Sequence, residues 1–264
     1  MRIDIGGITI NYHERGKGEP LLLIMGLGAP AAVWELHVQE YEKHFRCILM
    51  DNRGAGDSDK PAGPYSTRQM AEDAVGLLDK LGIDRTAVAG ISMGSCIAQE
   101  LAINHPERVS RMALVSSWSR CDLYTKDIFD HFKDMRAASS PAQFVRLLQL
   151  WIFVPDYFNS HADDMREART AAVTGYMPLH AFNAQCDACI GHDTFDRLDK
   201  IKAPALLTVG DADIFTPLRL SKEMEARMPT CSLKTLKGLG HAHHWEDLAV
   251  FNQLTTIFLR SGRV

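Results

Sequence analysis

Gly90-Ile91-Ser92-Met93-Gly94 sets a serine between two glycines, each two positions away. Residues 86–89 before it have strand character, and residues 96–103 after it read as a helix. A sharp strand-to-helix turn forces such a serine into strained backbone geometry and projects its hydroxyl from the sheet edge, while the small flanking residues prevent a clash. The chemistry open to that hydroxyl is attack on a carbonyl, for which serine needs a base at neutral pH. Eleven histidines compete for that role. His241, in Gly238-Leu239-Gly240-His241, follows the last predicted strand and is expected at the carboxyl edge of the sheet, where ligands bind in open α/β folds. His243 and His244 lie nearer the last helix and read as rim or capping residues. His13, His37, His44 and His105 read as surface or packing residues.

An orienting carboxylate should lie between serine and histidine in chain order. Gly210-Asp211-Ala212-Asp213-Ile214-Phe215-Thr216-Pro217 follows the predicted strand 205–209 and offers Asp213, with Asp211 as its rival. The other position open to an acid, after the strand ending at Val115, holds Ser116, Ser117 and Trp118 and no carboxylate. Two backbone N–H groups are needed to hold an oxyanion: Met93, the residue after the serine, and Leu27, in the turn Gly26-Leu27-Gly28 after the strand 20–25.

These loops need a scaffold. Residues 20–25, 45–50, 86–89 and 112–115 are short continuous apolar runs, as expected of parallel strands buried on both faces, and residues 8–13 alternate like an exposed hairpin strand. Helical spacing over 70–81 ends at Gly82. After Ser117 the rhythm stops. Residues 118–198 hold no convincing strand but several helical patterns, with Phe129, Phe132, Phe144, Leu147, Leu150, Trp151, Phe153, Tyr157, Tyr176, Met177 and Phe182 as bulky members and Pro141, Pro155 and Pro178 as punctuation. Strand 205–209, helix 218–228, strand 231–236 and helix 246–259 then restore the alternation. The expectation is a mostly parallel α/β sheet with helices on both faces, a core of residues 1–117 and 199–264, and a helical cap over 118–198 that closes a substrate pocket. Gly26, Trp118, Trp151, Phe153 and Ile214 are expected to line it.

With 264 residues the chain fits one α/β domain, and 46% apolar with 23% charged residues is ordinary for a globular protein. A net charge of −4 gives no electrostatic reason to seek nucleic acid or an anionic membrane. The start of the chain lacks the apolar core of a secretory signal, and no apolar run approaches membrane-spanning length, so a cytoplasmic location is expected. Six cysteines without an export signal are expected as free thiols. Cys186-Asp187-Ala188-Cys189 with His192 lacks a second ligand pair, so cap cysteines are expected rather than a metal or redox site. No cofactor or metal is expected. A homodimer is compatible with the sequence.

Taken together, these residues resemble the α/β-hydrolase superfamily over essentially the whole chain. Asp51-Asn52-Arg53-Gly54-Ala55-Gly56-Asp57-Ser58 resembles that family's Asp-x-Arg-Gly-x-Gly-x-Ser turn, and His105-Pro106-Glu107-Arg108-Val109 its exit from the nucleophile helix. Gly210-x-x-Asp213-x-x-x-Pro217 resembles its acid loop, which favours Asp213 over Asp211. The pattern is most similar to small capped esterases and 3-oxoadipate enol-lactonase-like hydrolases. Met25-Gly26 stands where the family usually has His-Gly, and Ser95 replaces a frequent glycine. Serine rather than aspartate at position 92 sets the chain apart from dehalogenase and epoxide-hydrolase relatives.

The resemblance implies an eight-stranded sheet with the cap inserted after strand 6. It further implies a serine hydrolase that cleaves a small-molecule carboxylic ester or lactone through Ser92, Asp213 and His241. The alternatives are hydrolysis of a carbon–carbon bond in a diketone, a ligand receptor on the same scaffold, and cofactor-free perhydrolysis.

Overall fold

The computed structural model describes residues 1–171 and 177–263; Tyr176 lies outside them. The chain opens with β1 (Arg2–Asp4), β2 (Thr9–Arg15), β3 (Glu19–Ile24), α1 (Glu35–Tyr41), β4 (Phe45–Met50) and α2 (Thr67–Lys80). β5 (Thr86–Ile91), α3 (Met93–Asn104) and β6 (Val109–Val115) complete the first half. Five helices follow with no strand among the described residues: α4 (Leu123–Ala138), α5 (Pro141–Ile152), α6 (Pro155–Ser160), α7 (Ala162–Ala171) and α8 (Leu179–Ile190). The core resumes with β7 (Ala205–Gly210), α9 (Leu218–Glu225), β8 (Cys231–Leu236), α10 (His243–Glu246) and α11 (Leu248–Ser261).

All eight strands form one sheet in the order β1-β2-β4-β3-β5-β6-β7-β8. The β1–β2 and β2–β4 pairs are antiparallel, and every later pair in that order is parallel. Two apolar layers cover the sheet. Leu22, Ile24, Ile48, Met50 and Val88 face one, with α2 and α3; Leu21, Leu23, Cys47, Leu49 and Ala89 face the other, with α1 and α11. Alternate residues of the same strands feed opposite layers, which is why the central strands read as unbroken apolar runs.

Local chemistry sets the helix starts. Ser66 caps α2 by accepting from the Gln69 N–H, so that helix begins ahead of its apolar periodicity. Ser140 forms a capping box with Gln143, and Pro141 occupies the first turn of α5. The C-terminal helix expected over 246–259 is α11, which starts two residues later because Asp247 leaves helical geometry (φ −134°, ψ 71°) and caps it through the Val250 N–H. An isolated antiparallel bridge, Arg120–Asp193, ties together the two ends of the helical insertion. Among the described residues no helix is long and apolar enough to cross a membrane.

Candidate active site

Ser92 lies between β5 and α3 with φ 54° and ψ −118°, a backbone geometry that L-residues rarely hold. The surrounding contacts impose it. A Cβ at Gly90 would stand 2.3 Å from the Gly94 carbonyl oxygen, and one at Gly94 would stand 2.1 Å from that of Ile24. Only glycine fits at either place. The helix therefore starts directly after the serine, three residues earlier than its apolar pattern shows.

Asp213 follows β7, and its side chain is buried. Its Oδ1 accepts from the N–H groups of Phe215 and Thr216, both at 2.8 Å. Its Oδ2 accepts from the Thr216 hydroxyl at 2.8 Å and from His241 Nδ1 at 2.9 Å. Burial alone would raise this carboxyl, but the His241 partner and the Thr216 hydrogen bonds outweigh it and hold Asp213 below the usual carboxylate range. Asp211 is exposed and accepts from the Gly238 N–H at 2.6 Å, a loop-closing role away from the histidine. With Nδ1 on Asp213, His241 keeps Nε2 for the cavity. Ser116, also at positive φ (50°), donates its hydroxyl to the His241 carbonyl at 2.8 Å and so fixes the histidine's backbone.

Ser92 and His241 line one cavity of about 170 Å³, with Met25, Gly26, Leu27 and Ala29 on the β3 side. Phe132 of α4, Leu148 and Ile152 of α5, and Phe215 close it from the insertion and the acid loop. Ala242, His244 and Trp245 complete the wall. The walls are mostly apolar. No hydrogen bond joins the Ser92 hydroxyl to His241 among the described residues, though both side chains line the one cavity. The N–H groups of Leu27 and Met93 also have no acceptor among the described residues. Gly26 brings the first of these close: a Cβ there would lie 3.3 Å from Ser92 Cβ.

Of the expected pocket residues, Gly26 lies in this cavity and the other four do not. Trp118 is wholly buried, packed on Phe129 and edge-on to His192, so it is core rather than pocket wall. Trp151, Phe153 and Ile214 line an adjoining pocket of about 510 Å³ that shares Ile152 with the first. The helical faces of α4 and α5 turn Phe132 and Leu148 to the serine instead. His243 and His244 are also not rim residues. Both are buried: His243 bonds the Thr208 hydroxyl at 3.0 Å, and His244 Nδ1 lies 3.0 Å from His37 Nε2.

Cys186 and Cys189 sit buried on α8, their thiols pushed up by burial. Among the described residues, no three His, Cys, Asp or Glu side chains are placed to hold a metal ion.

A sequence model of the alpha/beta hydrolase fold matches residues 19–248. The protein named "Putative carbamate hydrolase RutD" in Azorhizobium caulinodans is 28% identical over 94% of this chain and 94% of its own length. Its namesake in Variovorax paradoxus is 29% identical, again over 94% of each chain. Among solved structures, an alpha/beta hydrolase enzyme from a Medee basin deep-sea metagenome library superposes with a TM-score of 0.94 at 21% identity, over 100% of this chain and 98% of its own. The enol-lactonase from Burkholderia xenovorans superposes with a TM-score of 0.91 at 24% identity, over 99% and 100%.

Proposed function

We propose, because this chain belongs to the alpha/beta hydrolase fold family, that it is a hydrolase of that fold acting through Ser92, His241 and Asp213 on a small carboxylic ester or lactone. The single observation that carries this reading is the shared cavity. A strained serine hydroxyl and a histidine already oriented by a buried carboxylate open into the same small apolar space.

In this mechanism His241 Nε2 takes the Ser92 proton as Oγ bonds to the carbonyl carbon. The carbonyl oxygen becomes an oxyanion held by the Leu27 and Met93 N–H groups. The tetrahedral centre collapses, the bond to the leaving alkoxide breaks, and His241 returns its proton to that oxygen. Water, deprotonated by the same histidine, then attacks the acyl-Ser92 carbonyl; the bond to Ser92 Oγ breaks, His241 returns the proton to Oγ, and the acid leaves. Asp213 holds the tautomer and stabilises the imidazolium. Each oxyanion donor is worth about 10²–10³ in turnover. Helices α4–α8 act as a lid whose Phe132, Leu148 and Ile152 exclude water from this space.

A carbamate is the second substrate class to weigh, favoured by the relatives named for carbamate hydrolysis. The same acyl chemistry applies, with nitrogen beside the carbonyl. Fluorophosphonate labelling tests the nucleophile. Wild-type protein should be labelled at Ser92 and should hydrolyse p-nitrophenyl butyrate, whereas Ser92→Ala should do neither. Labelling elsewhere, or undiminished turnover by Ser92→Ala, refutes the reading. Ammonia release from ethyl carbamate, compared with hydrolysis of ethyl acetate, ranks the two classes.

A further inference from the structure

We infer that His244 determines specificity in the Ser92 cavity: its Nε2 presents a fixed hydrogen-bond acceptor that selects small substrates carrying an O–H or N–H donor beside the scissile carbonyl. This rests on the reading of the cavity as the substrate site. His244 lines that cavity yet is only 2% exposed. Behind the wall its Nδ1 meets His37 Nε2 at 3.0 Å, and His37 Nδ1 meets Asn252 Oδ1 at 2.7 Å.

With Asn252 Oδ1 turned to His37, neutral rings allow one proton arrangement along this chain. Asn252 Oδ1 can only accept, so His37 carries its proton on Nδ1 and exposes a lone pair at Nε2. That lone pair accepts the His244 Nδ1–H, which leaves His244 Nε2 unprotonated. Nε2 has no partner among the described residues. Both rings stay neutral: burial pushes His37 down to about 4, and burial with the neighbouring histidines pushes His244 well below the ordinary range.

Packing alone does not explain the arrangement. Trp34 and Phe251 already surround His37, and aliphatic side chains would fill the same space without desolvating four ring nitrogens. A buried polar chain closed at one end and open on a cavity is stabilised only when the open end meets a donor. Sites built this way discriminate strongly against an analogue that lacks the donor, because the acceptor is then left dry and unpaired.

The test uses matched esters that differ by hydroxyl against methyl: p-nitrophenyl 3-hydroxybutanoate with 3-methylbutanoate, and p-nitrophenyl 2-hydroxypropanoate with 2-methylpropanoate. Relative to alkaline hydrolysis, wild-type kcat/KM should favour the hydroxyl member of at least one pair by about tenfold to a hundredfold. His244→Phe should bring that ratio to within about twofold. The ratio is taken within each protein, so a general loss of activity cancels. No excess preference in wild type, or an excess that survives His244→Phe, overturns the inference. Nitrogen-15 spectra of histidine-labelled wild type give a check that needs no variant to fold. His244 Nε2 should show the shift of an unprotonated nitrogen and Nδ1 that of a protonated one; the reverse also overturns it. Should no ester turn over, the serine-hydrolase reading fails rather than this one. The ratio is then read from the dissociation constants of 3-hydroxybutanamide and 3-methylbutanamide.

Discussion

Gln185, on the last helix of the insertion, accepts a hydrogen bond from the Gly28 N–H at 2.8 Å. The other end of the same amide donates to the Arg53 carbonyl at 2.8 Å. One wholly buried side chain thus ties α8 to the turn that carries Leu27 and to the loop after β4. The turn that carries Leu27 is held partly by the helical insertion, not by the sheet alone.

Gln185→Met removes both bonds at nearly constant volume. The Leu27 N–H then loses its fixed aim, and preorganised donors are effective only where the oxyanion forms. The expected result is a fall in kcat of about tenfold to a hundredfold with KM changed less than about threefold. Turnover of p-nitrophenyl butyrate measures it; an unchanged kcat means that the turn stands without Gln185.

Strain at Ser92 gives a prediction opposed in sign for fold and activity. A non-glycine residue in such a backbone well costs about 1–3 kcal/mol, and glycine avoids that cost. Ser92→Ala and Ser92→Gly should both lower turnover by about 10⁴–10⁶, yet Ser92→Gly should be the more stable of the two. Urea midpoints decide it, and a less stable Ser92→Gly would show that the turn is not strained.

The turn at Ser92 was legible in the sequence because it needs a glycine two positions to either side, where backbone carbonyls approach too closely for any Cβ. Asp213 and His241 were legible because they lie in the loops that follow β7 and β8, and the resemblance of Gly210-x-x-Asp213-x-x-x-Pro217 to an acid loop separated Asp213 from Asp211. The pocket wall was not. Which face of α4 or α5 turns inward depends on how five helices pack on one another, and a helix with aromatics on several sides does not reveal this in its periodicity. Trp118 was expected as pocket wall and is core, whereas Phe132, one of many bulky residues of the insertion, lines the cavity of Ser92. Ser116 and Gln185 left no signal, because these polar side chains do their positioning through partners 125 and 157 positions away.

Buried neutral histidines set the acid side of stability. His37, His192 and His243 are each pushed down to about 4, chiefly by burial. Unfolded histidine titrates at about 6.5. Between those values the unfolded chain binds protons that the folded chain does not, so stability falls as pH drops through that window and levels below it. Each histidine contributes at most about 3 kcal/mol. Glu246 and Asp73, both raised chiefly by burial, act with the opposite sign. Unfolding free energy measured from pH 7.5 to 4.5 should decline with a slope above one proton. His192→Asn, remote from the cavity, should make that slope shallower. A flat profile refutes the account.

Leu148 separates two spaces. It lines the cavity of Ser92 and also a neighbouring one of about 450 Å³, and the two share Leu27 and Ala29 as well. The second runs between α5 and the turn that carries Leu27, past the apolar Phe144, Val145 and Phe182, with Arg136 also in its wall. With about 170 Å³ at the serine, wild type is expected to favour short acyl groups. Leu148→Ala should join the spaces and give a longer chain apolar surface to bury, at about 0.8 kcal/mol for each methylene taken from water. The ratio of kcat/KM for p-nitrophenyl octanoate over butyrate should therefore rise about tenfold or more. Truncating Leu148 also removes packing, at about 2–5 kcal/mol of stability. The chain-length ratio is read within one folded protein, so it separates pocket shape from that loss. An unchanged ratio in folded Leu148→Ala would place the acyl chain elsewhere, with the pocket beside Trp151 and Ile214 as the space left to receive it.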